Sequence, residues 1–193
     1  METFHSLQGE GAHSGRSAFF IRLAGCDVGC HWCDVKDSWT ASKKQLRPIS
    51  GLLEEAMKEP CSFVVVTGGE PCIYDLAPLS TAFRNAGFRT HLETSGAHPL
   101  SGNWHWICFS PKKFKAPLEE FYQRSDELKT VIFNKSDIAW THEHAKKMHS
   151  KAQVFLQPEW SKRKEMTPMI IEEIKKDPQK RISLQTHKYL DIP

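Results

Sequence analysis

Apolar positions along this chain fall into short continuous runs, and these alternate with stretches of helical spacing. AFFIRLAG (18–25) is rich in strand-forming residues, and SFVVVTGGEP (62–71) is a short continuous apolar run that reads as a fully buried parallel strand. Further strands are predicted at 88–96, 104–113, 127–133, 152–160 and 181–187. Between them, 48–59 places Leu52, Leu53, Ala56 and Met57 on one helical face, with Ser50 as candidate N-cap. Residues 76–87 read as a helix stopped by Gly87, and a short helix falls near 117–124. Two more helices are predicted at 136–150, capped by Ser136 or Asp137, and at 168–177. Such alternation predicts an α/β fold with parallel strands joined by right-handed crossovers. About six βα units fall short of the eight of a complete barrel. The expectation is a partial, open TIM-like barrel in a single domain spanning 1–193.

Polar or glycine-bearing motifs recur at the carboxyl ends of these strands. They are GC after 18–24, TGGEP after 63–66, ETSG after 90–92, SPK after 106–109, QPEW after 154–156 and QTHK after 182–184. In parallel α/β folds those ends share one rim, where ligands bind.

Composition narrows the picture mainly by exclusion. Hydrophobic residues make up 39% and charged residues 25%, a soluble globular balance. With 26 basic and 23 acidic residues the net charge is +3, too balanced to argue for nucleic-acid binding. No apolar run is long enough to span a bilayer, and METFHSLQGEG has no secretory character, so a cytoplasmic location is expected. Six cysteines there read as metal ligands or reduced thiols, not as a disulfide framework.

Three of the six sit in GCDVGCHWCD (25–34): Cys26, Cys30 and Cys33, spaced C-x3-C-x2-C, with Gly25 and Gly29 to let the loop turn. Three thiolates from so short a loop can hold three irons of a [4Fe–4S] cube and leave the fourth without a protein ligand. An open position separates a reactive metal centre from a structural one. The competing reading is a zinc site completed by His31, Cys72 or Cys108.

With Trp32 ahead of the last cysteine and GGEP at 68–71, the loop resembles the radical S-adenosylmethionine superfamily. SLQGEG (6–11), FFIRLAGC (19–26), LQPEWS (156–161) and the closing SLQTHKYLDIP (183–193) narrow the resemblance to the 7-carboxy-7-deazaguanine synthase family, across nearly the whole chain. Glycyl-radical activases share only the cysteine spacing.

The resemblance implies a homodimeric lyase of queuosine and 7-deazapurine biosynthesis, feeding a tRNA modification pathway. It would convert 6-carboxy-5,6,7,8-tetrahydropterin to 7-carboxy-7-deazaguanine with loss of ammonia, using an external flavodoxin- or ferredoxin-type reductant. It implies a [4Fe–4S] cluster on Cys26, Cys30 and Cys33. S-adenosylmethionine would lie against Trp32, Cys33 and Asp34, then against Gly68, Gly69, Glu70 and Gly96. Ser110, Pro111 and Lys112, with Gln157, Pro158, Glu159 and Trp160, would complete that site. The pterin would meet Leu7, Gln8, Gly9, Glu10 and Arg22, then Thr94, His187 and the Pro193 carboxylate. Chemistry agrees, since a guanidinium suits the pterin carboxylate and a carboxylate its donor-rich edge. Arg22 read from its strand alone could instead be paired structurally with an acid. Mg2+ is left open: the family's hydroxyl ligand position is Val35 here, so the ion would depend on substrate, water, Asp34 or Asp37.

Other chemistry-bearing residues read as structural. Cys61, Cys72 and Cys108 suit the core; His142, His144 and His149 suit a solvated helix; Trp104, Trp106 and Trp140 suit packing. The Lys162–Lys164 cluster either borders the rim or is solvated.

Overall fold

The computed structural model describes residues 2–193. Strand β1 (Glu2–Leu7) pairs antiparallel with β2 (Ser17–Leu23). From β2 onward neighbours are parallel: β3 (Phe63–Gly68), β4 (Arg89–Thr94), β5 (Trp106–Phe109), β6 (Glu127–Ile132), β7 (Gln153–Pro158) and β8 (Lys180–Ile182). Their order in space is their order in sequence, as successive right-handed crossovers produce, and β1 and β8 stand at opposite ends. The result is an open, partial barrel. Helices α1 (Ile49–Ala56), α2 (Ala77–Asn85), α3 (Glu120–Arg124), α4 (Ser136–Ala145) and α5 (Arg163–Lys176) lie in the crossovers, and α6 (Thr186–Leu190) follows β8. The link from β4 to β5 carries no helix.

Strand alternation sorts the core onto two faces. Phe19, Ile21, Val64, Val66, Leu92, Ile107, Phe109 and Leu128 pack toward α1, α2 and α3. On the concave face Ala18, Phe20, Phe63 and Val65 make an apolar floor under β2 and β3, with Phe4 of β1 stacked on Phe20 at 5.0 Å. The same face of β4, β5 and β6 is different: it carries His91, Glu93, Cys108, Glu127 and Lys129, all at least largely buried. Apolar and charged halves of one concavity already suggest a site with two kinds of contact.

Several sequence expectations shift. Neither β1 nor α6 was anticipated. Ser50 caps nothing: α1 opens behind Pro48, whose fixed φ suits a helix start. Helix α4 opens behind Lys135, and its first turn is tied instead by the Asp137 carboxylate, which accepts from Phe133 N and Asn134 N at 2.8 Å. Helix α5 begins at Arg163, not Pro168, because Glu159 caps the preceding turn by accepting from Ser161 N and Lys162 N. The three helix histidines are not a solvated set: His142 binds Glu173 at 2.7 Å, His144 binds the Tyr122 hydroxyl at 2.8 Å, and His149 lies beyond α4, on the Ser125 carbonyl.

Candidate active site

The cysteine loop leaves the carboxyl end of β2 and folds back beneath the TGGE turn that ends β3. Gly25 and Gly29 take φ of +99° and +77°, a left-handed backbone that glycine adopts without strain. The two loops are stitched together: Gly69 N donates to Leu23 O at 2.9 Å and Glu70 N to Gly25 O at 2.8 Å. A Cβ on Gly69 would sit 2.1 Å from Gly25 O and 3.0 Å from Cys26 Cβ. One on Gly68, at φ +132°, would strike the Leu23 backbone. This pair of glycines therefore sets how closely the TGGE turn approaches the thiols.

Glu70 is the knot of this corner. It is 1% exposed, and its carboxylate accepts from Cys72 N (3.0 Å), Thr94 Oγ1 (2.5 Å), Ser95 N (2.8 Å) and Ser95 Oγ (2.5 Å). It thus fastens the end of β3 to the end of β4. Glu70→Ala would orphan several buried donors, and we expect a loss of at least about 3 kcal/mol, read as a melting temperature lower by roughly 6–12 °C.

These elements enclose a cavity of about 270 Å3 at the carboxyl ends of the strands. Cys26, Cys30 and Cys33 line it with Trp32, Gly68 and Gly69, and so do Gln8, Gly9, Glu10, Arg22 and Lys129. All three thiols are free. Burial pushes the Cys30 thiol up to about 11 and raises Cys26 as well, so metal binding here would expel protons. Lys112 lies at this corner, its ammonium on Ser110 Oγ at 2.6 Å, and burial lowers its proton affinity.

On the charged side, Lys129 Nζ lies 2.6 Å from Glu10 Oε2 and 2.8 Å from Glu93 Oε2. Burial alone would raise both carboxyls, but the ammonium more than offsets it and holds them below the usual carboxylate range. Gln8 Nε2 donates to Glu93 Oε1 at 3.1 Å, and Gln185 Nε2 to Glu10 Oε1 at 3.0 Å. One layer deeper, ligand atoms of His91, Glu93 and Cys108 lie within 4.8 Å of one another. The Lys129 ammonium already neutralises Glu93 there, and burial keeps the Cys108 thiol protonated.

The chain's last residues close one side of the mouth. Thr186 donates to Gly9 O through both its backbone N and its Oγ1, each at 2.9 Å. His187 packs so tightly on Gly9 that a Cβ there would lie 2.1 Å from its Nδ1. Lys188 Nζ meets Asp34 Oδ2 at 2.5 Å, and Ser6 Oγ donates to the Pro193 terminal oxygen at 3.0 Å. The N-terminal strand, the cysteine loop and the C-terminal segment thereby meet at one rim.

Most of the residues singled out from the sequence line this cavity. They include the three cysteines, Trp32, Asp34, Ser110, Lys112, Gln157, Glu159 and Trp160, and also Leu7, Thr94, His187 and Pro193. Gly96, Pro111 and Pro158 are not among the lining residues. Gly96, at φ +73°, is instead packed against Phe109 and Phe121. Arg22 lines the cavity but pairs with Glu2 at 2.6 Å, with its guanidinium 5.0 Å from the Phe4 ring centroid. Lys129 has no place among the strand-end motifs, whereas Gln185 and Lys188 belong to QTHK but carry no assigned contact there. Lys129 had a signal, a lysine inside the apolar strand ELKTVIF; for the other two the motif marked the rim, and the fold adds their partners Glu10 and Asp34.

The alternative zinc ligands are elsewhere. Cys72 and Cys108 are buried below the cavity, and His31 is exposed, edge-on to Phe114 and Phe133. The residues around Val35 do not fit Mg2+ either. Val35 offers no side-chain oxygen, the Asp34 carboxylate is held by Lys188 and Gln185, and Asp37 is not part of the cavity wall.

The fold and this rim define a partial β/α-barrel enzyme whose reaction site lies where the parallel strands end. No protein-family model matches the chain. It is 49% identical over 193 residues to 7-carboxy-7-deazaguanine synthase from Flavobacterium psychrophilum, covering 100% of this chain and 91% of that protein. To the synthase of the same name from Synechocystis it is 47% identical over 191 residues, covering 99% and 91%. The crystal structure of QueE from Escherichia coli superposes with a TM-score of 0.83 at 30% identity, over 95% of this chain and 91% of that one. The chain belongs to the 7-carboxy-7-deazaguanine synthase family.

Proposed function

We propose that this enzyme is a radical S-adenosylmethionine lyase that contracts the ring of 6-carboxy-5,6,7,8-tetrahydropterin to 7-carboxy-7-deazaguanine, releasing ammonia. The observation carrying this reading is one cavity lined by two chemically distinct sets of groups. Three free thiols and a glycine-lined turn make up one set; carboxylates, an arginine and Pro193 make up the other. A [4Fe–4S] cluster would be held by Cys26, Cys30 and Cys33. When bound, the cluster and S-adenosylmethionine supply one-electron cleavage of a sulfonium C–S bond and hence a radical able to abstract hydrogen.

The protein's own residues bind, orient and exclude water. Gly68 and Gly69 bring backbone groups close to the thiol corner, where Trp32, Asp34, Ser110 and Lys112 would hold the sulfonium cofactor beside Gln157, Glu159 and Trp160. Glu70, which lines the cavity, would face the cofactor's ammonium while holding Thr94 and Ser95 in place. Gly96, Pro111 and Pro158 would contribute only through the backbone that carries their neighbours. The pterin would lie across the apolar floor of Phe20 and Val65, its carboxylate toward Arg22 and its donor edge toward Glu10. Gln8, Leu7, Gly9, His187 and Pro193 would frame it. An external one-electron reductant and a homodimeric, cytoplasmic enzyme acting as one domain complete the proposal. No helix among the described residues is long and apolar enough to cross a membrane.

The test is anaerobic turnover of the pterin with S-adenosylmethionine and a chemical reductant. Formation of the deazaguanine supports the reading; 5′-deoxyadenosine without it would retain the superfamily and refute the substrate. Because the donors near Val35 do not suit Mg2+, adding the ion or chelating it should change the rate by less than about twofold. A strict Mg2+ requirement in the same assay would contradict that.

A further inference from the structure

Among the buried charges without a role in that chemistry, Lys129 is the most enclosed lysine. Lys129 stands at the centre of β6 with its side chain 4% exposed, in a strand whose neighbours Leu128 and Thr130 are fully buried on the opposite face. Burying an ammonium is costly unless it is paired and hydrogen-bonded. Lys129 is paired twice, with Glu10 from the β1–β2 loop and Glu93 from β4. Each carboxylate gives it one oxygen. The other oxygen of each accepts from an amide, Gln185 for Glu10 and Gln8 for Glu93. Lys129 and both carboxylates face the cavity.

The arrangement is not needed to close the fold. Charges sit on three separate elements, and an apolar residue on β6 would pack beside Phe155 of β7 at lower desolvation cost. What the lysine does accomplish is local. Two carboxylates in one closed pocket would repel, and burial would favour protonating one of them; the ammonium keeps both ionised and fixes their separation. Two fixed acceptors on one wall suit a ligand that presents several N–H donors along a planar edge.

We propose that Lys129 is a positioning residue for substrate: it holds Glu10 and Glu93 as a paired acceptor wall that selects the aminopyrimidinone edge of the pterin. This rests on the pterin reading above and adds what recognises that edge. Each carboxylate oxygen takes one protein donor and keeps a second lone pair; selection follows because a ligand that turns a carbonyl oxygen in place of an N–H toward that lone pair sets two acceptors against each other.

The experiment measures dissociation constants on the anaerobic, cluster-loaded and unreduced protein, so that no turnover occurs. The ligands are 6-carboxy-5,6,7,8-tetrahydropterin and its analogue carrying oxygen in place of the 2-amino group. Wild type, Lys129→Gln and Lys129→Arg are compared, with S-adenosylmethionine binding and circular dichroism as controls of folding. The expected result is that wild type prefers the pterin strongly. Lys129→Gln should bind the pterin roughly 30-fold or more weakly, keep its S-adenosylmethionine affinity, and lose most of its preference over the analogue. Lys129→Arg keeps the charge and should fold even where the glutamine variant does not, yet its longer planar head displaces the carboxylates and should lower the preference too. A purely structural lysine would weaken both ligands equally. The proposal is overturned if a folded variant keeps the wild-type preference, or if wild type binds pterin and analogue alike. Failure of wild type to bind the pterin at all would instead overturn the substrate reading on which it rests.

Discussion

Alanine at Cys30 is expected to abolish product formation while leaving the barrel standing. The side chain is 8% exposed and packs with Val28 and Ala97, so its removal leaves only a small void in a peripheral cluster. The stability cost should be no more than about 1–2 kcal/mol. The chemical cost is complete, because the loop supplies three thiols and Cys72 and Cys108 are buried below the cavity with their protons held by burial. Neither can replace the missing ligand without unfolding β5 or the turn after β3. Iron and sulfide analysis of the anaerobically reconstituted variant, beside product assay and a thermal melt, checks this. Cys61→Ser provides the contrast: Cys61 does not line the cavity and should leave iron content and rate unchanged. Full iron content in the Cys30 variant would mean the cluster is held elsewhere.

Gly69→Ala should be nearly as damaging, for a reason that involves no chemical group at all. Its added methyl would overlap a backbone oxygen of the cysteine loop at 2.1 Å, a contact no rotamer relieves. Either the TGGE turn lifts away, breaking the Glu70 N to Gly25 O bond, or the cysteine loop shifts and displaces Cys26. A displacement on the order of 1 Å at a reacting centre costs roughly 100-fold in kcat/KM, and that is the expected loss. Binding of S-adenosylmethionine to the unreduced protein should weaken in parallel. Gly51→Ala in α1 is the control: its nearest contact would be 3.5 Å, in open helix, and it should be neutral or stabilising by up to about 1 kcal/mol. An unchanged rate in Gly69→Ala would show that the two loops do not act as one unit.

Much of the fold was readable because its parallel strands are buried on both faces. Continuous runs such as FVVV mark them without any need for alternation, and the chemistry-bearing motifs sit where each run ends. What escaped had weaker local signals. Strand β1 is the sheet's edge, with no residue fully buried, so ETFHSL carries little pattern. Helix α6 is five residues long and held by contacts to Gly9 and Trp160 that lie far away in sequence. Pro168 invited a helix start because proline favours the first turn, whereas the true start depends on a Glu159 cap that only the bend after β7 creates.

The candidate site divides in the same way. Cysteine spacing, paired glycines and strand-end polar residues announce themselves one motif at a time. Lys129 does not, since its meaning lies in partners 119 and 36 residues away. Arg22 carried two readings, and the structure places it in the cavity wall and in a pair with Glu2 at once. Glu70 is a different lesson: its motif suggests an acceptor for ligand, and the structure adds that the same carboxylate, in the cavity wall, ties Cys72, Thr94 and Ser95 together.

The account stands on a cluster held by three cysteines, with one iron left for S-adenosylmethionine. Electron paramagnetic resonance of the anaerobically reduced protein, recorded with and without S-adenosylmethionine, addresses this directly. A cubane signal whose g values shift when S-adenosylmethionine is added is the predicted result. No cubane signal, or one that the added compound leaves unmoved, would contradict it.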